Sequence, residues 1–116
     1  MKYMLVIYEA PSDVARREGE HAKAYWDGWK AYGAALREAG VLVGGAALQP
    51  IANATTLRLK DGKRHVQDGP YAETKDEFAG FYTLEVQSVD QALEWAAKCP
   101  ALAKGAVEVR PVVVMS

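Results

Sequence analysis

The sequence has a single cysteine, Cys99, among its 116 residues. One cysteine cannot form a disulfide within the chain, and such scarcity is typical of proteins from a reducing compartment. The apolar run at residues 3–8 is too short for the core of a signal peptide followed by a cleavage site. No stretch approaches the ~20 apolar residues that cross a membrane. We therefore expect a cytoplasmic protein with no membrane partner.

Basic stripes, metal-ligand clusters and phosphate loops are also missing. The 14 basic and 15 acidic residues are scattered along the chain, whereas a nucleic-acid binder normally carries a basic stripe. The two histidines, His21 and His65, lie far apart and show none of the close spacing of a zinc site. Gly44-Gly45 lacks the fingerprint and the following helix of a phosphate loop. We expect no direct nucleic-acid partner, no metal and no cofactor.

Hydrophobic residues, by contrast, make up 50% of the chain, which is enough to form a core. The length predicts one domain over residues 1–116. Strands are predicted at residues 3–8, from residue 41 to near Pro50, at 81–86 and at 107–114, and Pro111 in the last indicates an edge or a bulge. Gly19 is expected to interrupt an early helical segment.

Two helices are predicted between these strands. The first runs from about residue 20 to 39, carries an apolar stripe, and ends at Gly40, because glycine adopts the left-handed conformation freely. In the second, Ser88 and Gln91 form a capping box. The apolar spacing of this second helix predicts four buried side chains, those of Val89, Ala92, Leu93 and Ala96.

The fold class follows from the order of these elements. Asp61-Gly62 between alternating segments at 55–59 and 63–67 predicts a tight hairpin. Without that hairpin the order is strand–helix–strand twice, which packs as a ferredoxin-like sandwich with both helices on one sheet face. The other face is expected to pair with a second copy through a two-fold axis. We therefore predict an α+β, ferredoxin-like sandwich with an inserted β-hairpin, working as a homodimer.

Residues 68–75 read Asp-Gly-Pro-Tyr-Ala-Glu-Thr-Lys. This segment resembles the signature of the DGPF branch of the YCII-related family, with tyrosine in place of the usual phenylalanine. Leu48-Gln49-Pro50 and the string at residues 108–111 are similar to strings in the same positions of that family. The resemblance implies a ferredoxin-like protomer that dimerises as an α/β barrel.

The resemblance also carries functional expectations. In the wider family, a histidine near the start of the first helix and an aspartate in an Asp-Pro pair after the second suggest an enzymatic role, and one relative resembles a dehydrochlorinase. His21 occupies the first position, but Cys99-Pro100 stands where the Asp-Pro pair is expected. Relatives of the DGPF branch are often encoded beside, or fused to, extracytoplasmic-function sigma factors.

His21 and Asp68 are the catalytic candidates. A histidine exchanges protons near neutral pH and suits a general acid or base, and Asp68 could supply the missing acid because Gly69 and Pro70 constrain its backbone. Alternatively, His21 is a partly buried helix-start residue bonded to backbone, and Asp68 caps its own turn.

Tyr25, Tyr32, Tyr71 and Glu73 are the predicted ligand-binding residues. Tyr25 and Tyr32 share a helical face with His21 and Gly28, and the aromatic residues around them line either a pocket or the core. Residues 73–75 are expected to begin a helical turn, in which Glu73 complements the positive helix start.

Two functional hypotheses remain open from the sequence. One is a small-molecule-binding domain with cofactor-free acid–base chemistry of the lyase, isomerase or dehydrochlorinase kind. The other is a non-catalytic regulatory or interaction module linked to a sigma factor.

Overall fold

The computed structural model describes residues 1–115 of the chain. The elements, in chain order, are β1 (Lys2–Glu9), α1 (Pro11–Val14), α2 (Ala22–Glu38), β2 (Leu42–Ala47), β3 (Thr55–Lys60), β4 (Lys63–Asp68), β5 (Glu77–Glu85), α3 (Val89–Ala96) and β6 (Ala106–Pro111). Short 3₁₀ helices lie at Ala15–Arg17, Gly19–His21, Ile51–Asn53 and Pro100–Ala103.

Four antiparallel strands form the main sheet in the order β2-β5-β1-β6. This order, with helices in the two crossovers, agrees with the predicted ferredoxin-like α+β fold. Pro111 lies on the edge strand β6, where its missing N–H costs no ladder hydrogen bond within the sheet. The last strand ends at Pro111 rather than at residue 114, because its partner β1 begins only at Lys2.

The core lies on the sheet face covered by the helices. Tyr3, Leu5 and Ile7 alternate along β1 and therefore point to the same face. They pack with Leu84 and Val86 after β5, Tyr32 and Leu36 of α2, and Ala92 and Ala96 of α3. Leu5, Leu36 and Leu84 are fully buried. Both α2 and α3 thus cover one face of the sheet.

The α3 helix buries a narrower stripe than its sequence predicts. Ala92 and Ala96 are buried, but Val89 and Leu93 are close to half exposed. The prediction was wrong for these two, because Ala92 and Ala96 form one row along the helix and Val89 and Leu93 the adjacent row. The Ser88 Oγ caps the helix by accepting from the Gln91 amide at 3.3 Å.

The first helix begins later than predicted, at Ala22. Gly19, with a φ of 82°, interrupts the chain before it, and Gly19–His21 form a 3₁₀ helix. At the other end Gly40 has a φ of 72°, the left-handed conformation predicted for the residue after the helix. No helix in residues 1–115 is both long and apolar enough to cross a membrane.

Strands β3 and β4 pair only with each other and form a separate two-stranded sheet. Asp61 and Gly62 connect them, with φ angles of 52° and 77°, as a tight hairpin turn requires. The chain from residue 69 to 76 forms no helix. The predicted helical turn at 73–75 was therefore wrong, since the strand β5 begins directly afterwards at Glu77.

Candidate functional site

A cavity of about 320 Å³ lies between α2 and the strands β1, β2 and β5. Trp26, Trp29 and Tyr82 form its walls, and small residues of β2 and β5 form its floor. Ligand sites in proteins are concave, largely apolar, and usually have volumes of about 300–1,000 Å³. The cavity is therefore large enough for a small organic molecule.

Two glycines in the floor of the cavity leave no space for a side chain. A Cβ at Gly45 would lie 2.5 Å from the Phe81 carbonyl oxygen, and one at Gly80 would lie 2.7 Å from the Ala46 carbonyl oxygen. Both distances are shorter than any ordinary contact, so a side chain at either position would displace backbone. The close pairing of β2 with β5 thus depends on glycine here.

Glu9 is the buried acid of the cavity. It is the last residue of β1 and continues the alternation of Tyr3, Leu5 and Ile7, so its side chain points towards α2. Only 2% of the residue is exposed. A buried carboxylate is stable only when charged or hydrogen-bonding groups compensate its lost hydration.

Arg17 and Tyr25 provide this compensation. The Tyr25 hydroxyl donates to Glu9 Oε1 at 2.6 Å, and Arg17 Nη2 lies 3.4 Å from the same oxygen. Arg17 Nε also donates to the Tyr25 hydroxyl oxygen at 3.0 Å. The three side chains form a closed triangle, which we call the Glu9 cluster.

Backbone carbonyls hold Arg17 in place. Its guanidinium donates to the carbonyl oxygens of Leu48 and, at 3.2 Å, Ala79. The Trp26 indole donates in turn to the Arg17 carbonyl oxygen at 3.2 Å, and its ring lies 5.5 Å from the guanidinium carbon. Hydrogen bonds therefore connect Arg17 to α2, to β5 and to the segment after β2. Its charge is paired with that of Glu9.

Burial and the adjacent Glu9 carboxylate raise the pKa of Tyr25 to about 12. The phenol consequently keeps its proton at neutral pH and acts as a hydrogen-bond donor. Glu9 is the acceptor of the pair. Within the Glu9 cluster, Glu9 Oε1 accepts from both Tyr25 and Arg17.

Aromatic rings line the wall beside this cluster. The rings of Trp29 and Tyr82 lie nearly parallel, with centroids 6.4 Å apart and an interplanar angle of 25°. Tyr25 and Trp26 meet edge to face at 4.8 Å. Burial raises the pKa of Tyr82, so this phenol is also neutral.

Comparison with known proteins identifies the family. The model of the YCII-related domain matches residues 1–116. The chain belongs to the YCII-related domain family. An uncharacterised protein of Rhizobium meliloti (strain 1021) is 43% identical over 76 residues, which span 64% of this chain and 61% of that protein. The DGPF branch and the sigma-factor link stay predictions, because neither description names them.

In this YCII-related domain His21 and Asp68 do not line the cavity. Both are exposed, and the His21 Nε2 lies 3.5 Å from a carboxylate oxygen of its neighbour Glu20. No hydrogen bond or ion pair joins His21 to Asp68 within residues 1–115. Their catalytic role stays a prediction.

The four predicted ligand-binding residues lie in three different environments. Tyr25 lines the cavity. Tyr32 is buried in the core, where its hydroxyl donates to the Trp95 carbonyl oxygen at 2.8 Å. Tyr71 and Glu73 are exposed, and Tyr71 lies under the Arg58 guanidinium, 5.3 Å from its carbon. Ligand contacts by Tyr32, Tyr71 and Glu73 stay predictions.

Cys99 precedes Pro100, where the family resemblance predicted an aspartate. Its thiol is buried, and burial raises its pKa to about 11. The group is therefore a neutral thiol at physiological pH and supplies no carboxylate there. No group of three or more His, Cys, Asp or Glu side chains in the described part of the chain could hold a metal ion.

Neither Glu9 nor Arg17 was among the residues predicted for the site. Glu9 had a readable signal, because it continues the buried positions 3, 5 and 7 of the first strand, and an acid in such a register is rarely left unpaired. Arg17 had no comparable signal, since it lies in a short 3₁₀ helix whose position depends on tertiary contacts.

Proposed function

We propose that this YCII-related domain binds a small organic molecule in the cavity between α2 and the sheet. The observation that carries the proposal is the Glu9 cluster, a buried carboxylate, phenol and guanidinium in the lining of an aromatic-walled cavity. Convergent polar groups in an otherwise apolar cavity are the usual composition of a ligand site.

The same cluster supports cofactor-free acid–base chemistry. Glu9 would take a proton from a carbon next to a carbonyl group of the ligand, and the electron pair of that C–H bond would move to the carbonyl oxygen. Return of the proton to another carbon completes an isomerisation. Departure of a halide with its bonding electrons completes an elimination instead. Tyr25 holds and orients Glu9 through its 2.6 Å hydrogen bond.

Two glycines of α2 allow a matched test of the binding site. A Cβ at Gly33 would make ordinary contacts at 3.6 Å with Arg37 and at 3.7 Å with the Tyr82 hydroxyl, and Gly33 lines the cavity. A Cβ at Gly28 would meet nothing within 4 Å. Gly33→Leu therefore fills the cavity, whereas Gly28→Leu adds the same side chain to the same helix without doing so.

The experiment is a thermal-shift screen of small molecules on the wild-type protein and both variants. A ligand stabilises the folded state by mass action. We expect hits to raise the melting temperature of wild type and Gly28→Leu but not of Gly33→Leu. Hits that stabilise Gly33→Leu as strongly as wild type would show that the ligand binds elsewhere.

We also propose that the domain works as a symmetric homodimer through the sheet face opposite the helices. Met4, Val6 and Tyr8 alternate with the core residues of β1 and so lie on that face, as does Phe81, the partner of Val6. Phe78, which packs edge to face on Tyr8, is 39% exposed. Val6 is already buried within the protomer, whereas Met4, Tyr8 and Phe81 are partly exposed. Partly exposed apolar side chains on one sheet face are typical of subunit interfaces.

Size-exclusion chromatography with light scattering tests the dimer. We expect a mass of twice the chain for wild type, a monomer for Tyr8→Glu, and a dimer for the control Leu102→Glu, which places the same charge after α3. A wild-type monomer at high concentration would refute the proposal. The location in the cytoplasm, like the dimer, stays a prediction.

A further inference from the structure

The charges around the cavity are unequal. Arg17, Lys30 and Arg37 contribute three positive charges to its lining, and Glu9 contributes one negative charge. Arg17 is paired with Glu9. Lys30 and Arg37 are exposed, and neither forms an ion pair with an acidic side chain in residues 1–115. Two cations at the cavity are thus available to a ligand.

These two cations lie on the same side of α2. They are seven residues apart, about two turns of a helix, and Gly33 lies between them. Gly33 has no side chain to separate them, and a Cβ there would lie 3.6 Å from Arg37 Nη1, so the Arg37 guanidinium lies close to this bare stretch of the helix. Lys30 and Arg37 therefore border one mouth of the cavity, with the Glu9 cluster deeper inside.

The walls between the mouth and the Glu9 cluster suit a flat molecule. Trp29 and Tyr82 pack on each other with nearly parallel rings, and both line the cavity. The floor of glycine and alanine offers no polar side chain. Aromatic rings stack in offset or edge-to-face contacts with other rings. A volume of about 320 Å³ favours a ligand of one or two rings.

We infer that the ligand class of this site is an aromatic carboxylate, with its acid group at Lys30 and Arg37 and its ring packed against the cavity wall that Trp29 and Tyr82 form. The inference rests on the proposed function, because it concerns the same cavity. Arg37 is suited to hold a carboxylate through two parallel N–H donors, and Lys30 adds a point charge. The far end of the ring then faces Glu9.

The test uses 2-naphthoate and 2-naphthamide, which have the same shape and differ in charge. Isothermal titration calorimetry would measure the affinity of each probe for three proteins. These are the wild type, the double variant Lys30→Gln/Arg37→Gln, and the control Lys104→Gln. Lys104 is exposed and does not line the cavity, so its variant controls for the loss of one positive charge. All three positions are exposed, so the substitutions leave the core intact.

We expect wild type and Lys104→Gln to bind the carboxylate about tenfold or more tightly than the amide, since hydrogen bonds between charged groups are among the stronger ones. The variant lacking Lys30 and Arg37 should lose this preference. If wild type binds both probes equally and Gly33→Leu binds neither, the cavity is the binding site but does not select a carboxylate. That result would overturn the inference and leave the proposed function standing. If wild type binds neither probe, the inference about the ligand class is also overturned. The proposed function is tested separately, by the thermal-shift screen that compares wild type with Gly33→Leu.

Discussion

The Tyr25 hydroxyl donates to Glu9 Oε1 at 2.6 Å and thereby joins the long helix α2 to the last residue of β1. Arg17 completes the contact from a third element, the 3₁₀ helix Ala15–Arg17. The carboxylate is thus held in place before any ligand arrives. Preorganised polar groups of this kind are what binding and catalysis both require.

Tyr25→Phe tests the strength of this hydrogen bond. The variant keeps the ring but removes the donor, so the buried Glu9 loses one of its compensating groups. We expect a loss of about 1–3 kcal/mol in the free energy of unfolding, measured by urea denaturation. Tyr71→Phe, at a largely exposed phenol, should change stability by less than about 0.5 kcal/mol.

A double-mutant cycle tests the pair of Glu9 and Arg17. Glu9→Gln leaves Arg17 without its charge partner, and Arg17→Gln leaves the buried carboxylate uncompensated; removing one partner of a buried pair costs about 3–5 kcal/mol. The double variant should be less destabilised than the sum of the single variants, because it leaves no charge unpaired. Strict additivity in urea denaturation would contradict the coupling.

Alkaline pH should destabilise the protein. The pKa of Tyr25 is about 12 when folded and 10.0 ordinarily, so the folded chain holds a proton that the unfolded chain releases between these values. This contribution to stability is therefore fully present below pH 10 and is lost as the pH rises towards 12. Burial raises the pKa values of Tyr32 and Tyr82 in the same direction.

Urea denaturation at several pH values between 8 and about 11.5 would measure this loss, and the slope should be smaller in Tyr25→Phe. Stability that stays constant over this range in the wild-type protein would show that the phenols are hydrated in the folded state.

Cys99 should react slowly with thiol reagents. Its thiol is buried, and its pKa of about 11 keeps it protonated at pH 8, whereas the thiolate is the reactive form. We expect labelling by a disulfide reagent such as dithionitrobenzoate to be slow in buffer and complete within the mixing time in denaturant. Rapid labelling of the native protein would mean that the region around Cys99 opens readily.

His21→Ala and Asp68→Asn separate the sequence-based site from the cavity. Both side chains are exposed, so each substitution should change the free energy of unfolding by less than about 0.5 kcal/mol. Ligands found in the thermal-shift screen should still bind both variants. Lost binding in His21→Ala, with stability unchanged, would favour the site predicted from the family resemblance over the cavity.

Much of the fold could be predicted from the sequence because the signals are local. A short apolar run predicted β1, and an apolar stripe with helical spacing predicted α2. The left-handed conformations at Asp61, Gly62 and Gly40 followed from residue types that tolerate them. The burial of α3 was less predictable, since Val89 and Leu93 differ from Ala92 and Ala96 only in which row of the helix meets the sheet.

The site was decided by the tertiary structure. Glu9, Arg17 and Tyr25 lie on three different elements, β1, the 3₁₀ helix Ala15–Arg17 and α2, and they meet only because the chain turns back between β1 and α2. The carbonyl oxygens of Leu48 and Ala79 that orient Arg17 come from distant parts of the chain. The sequence predicted that His21 and Tyr25 share one face of a helix, but His21 lies in the 3₁₀ helix Gly19–His21, before α2 begins at Ala22. Local residue preferences therefore specified which elements form, whereas the convergence of distant elements specified which side chains surround the cavity.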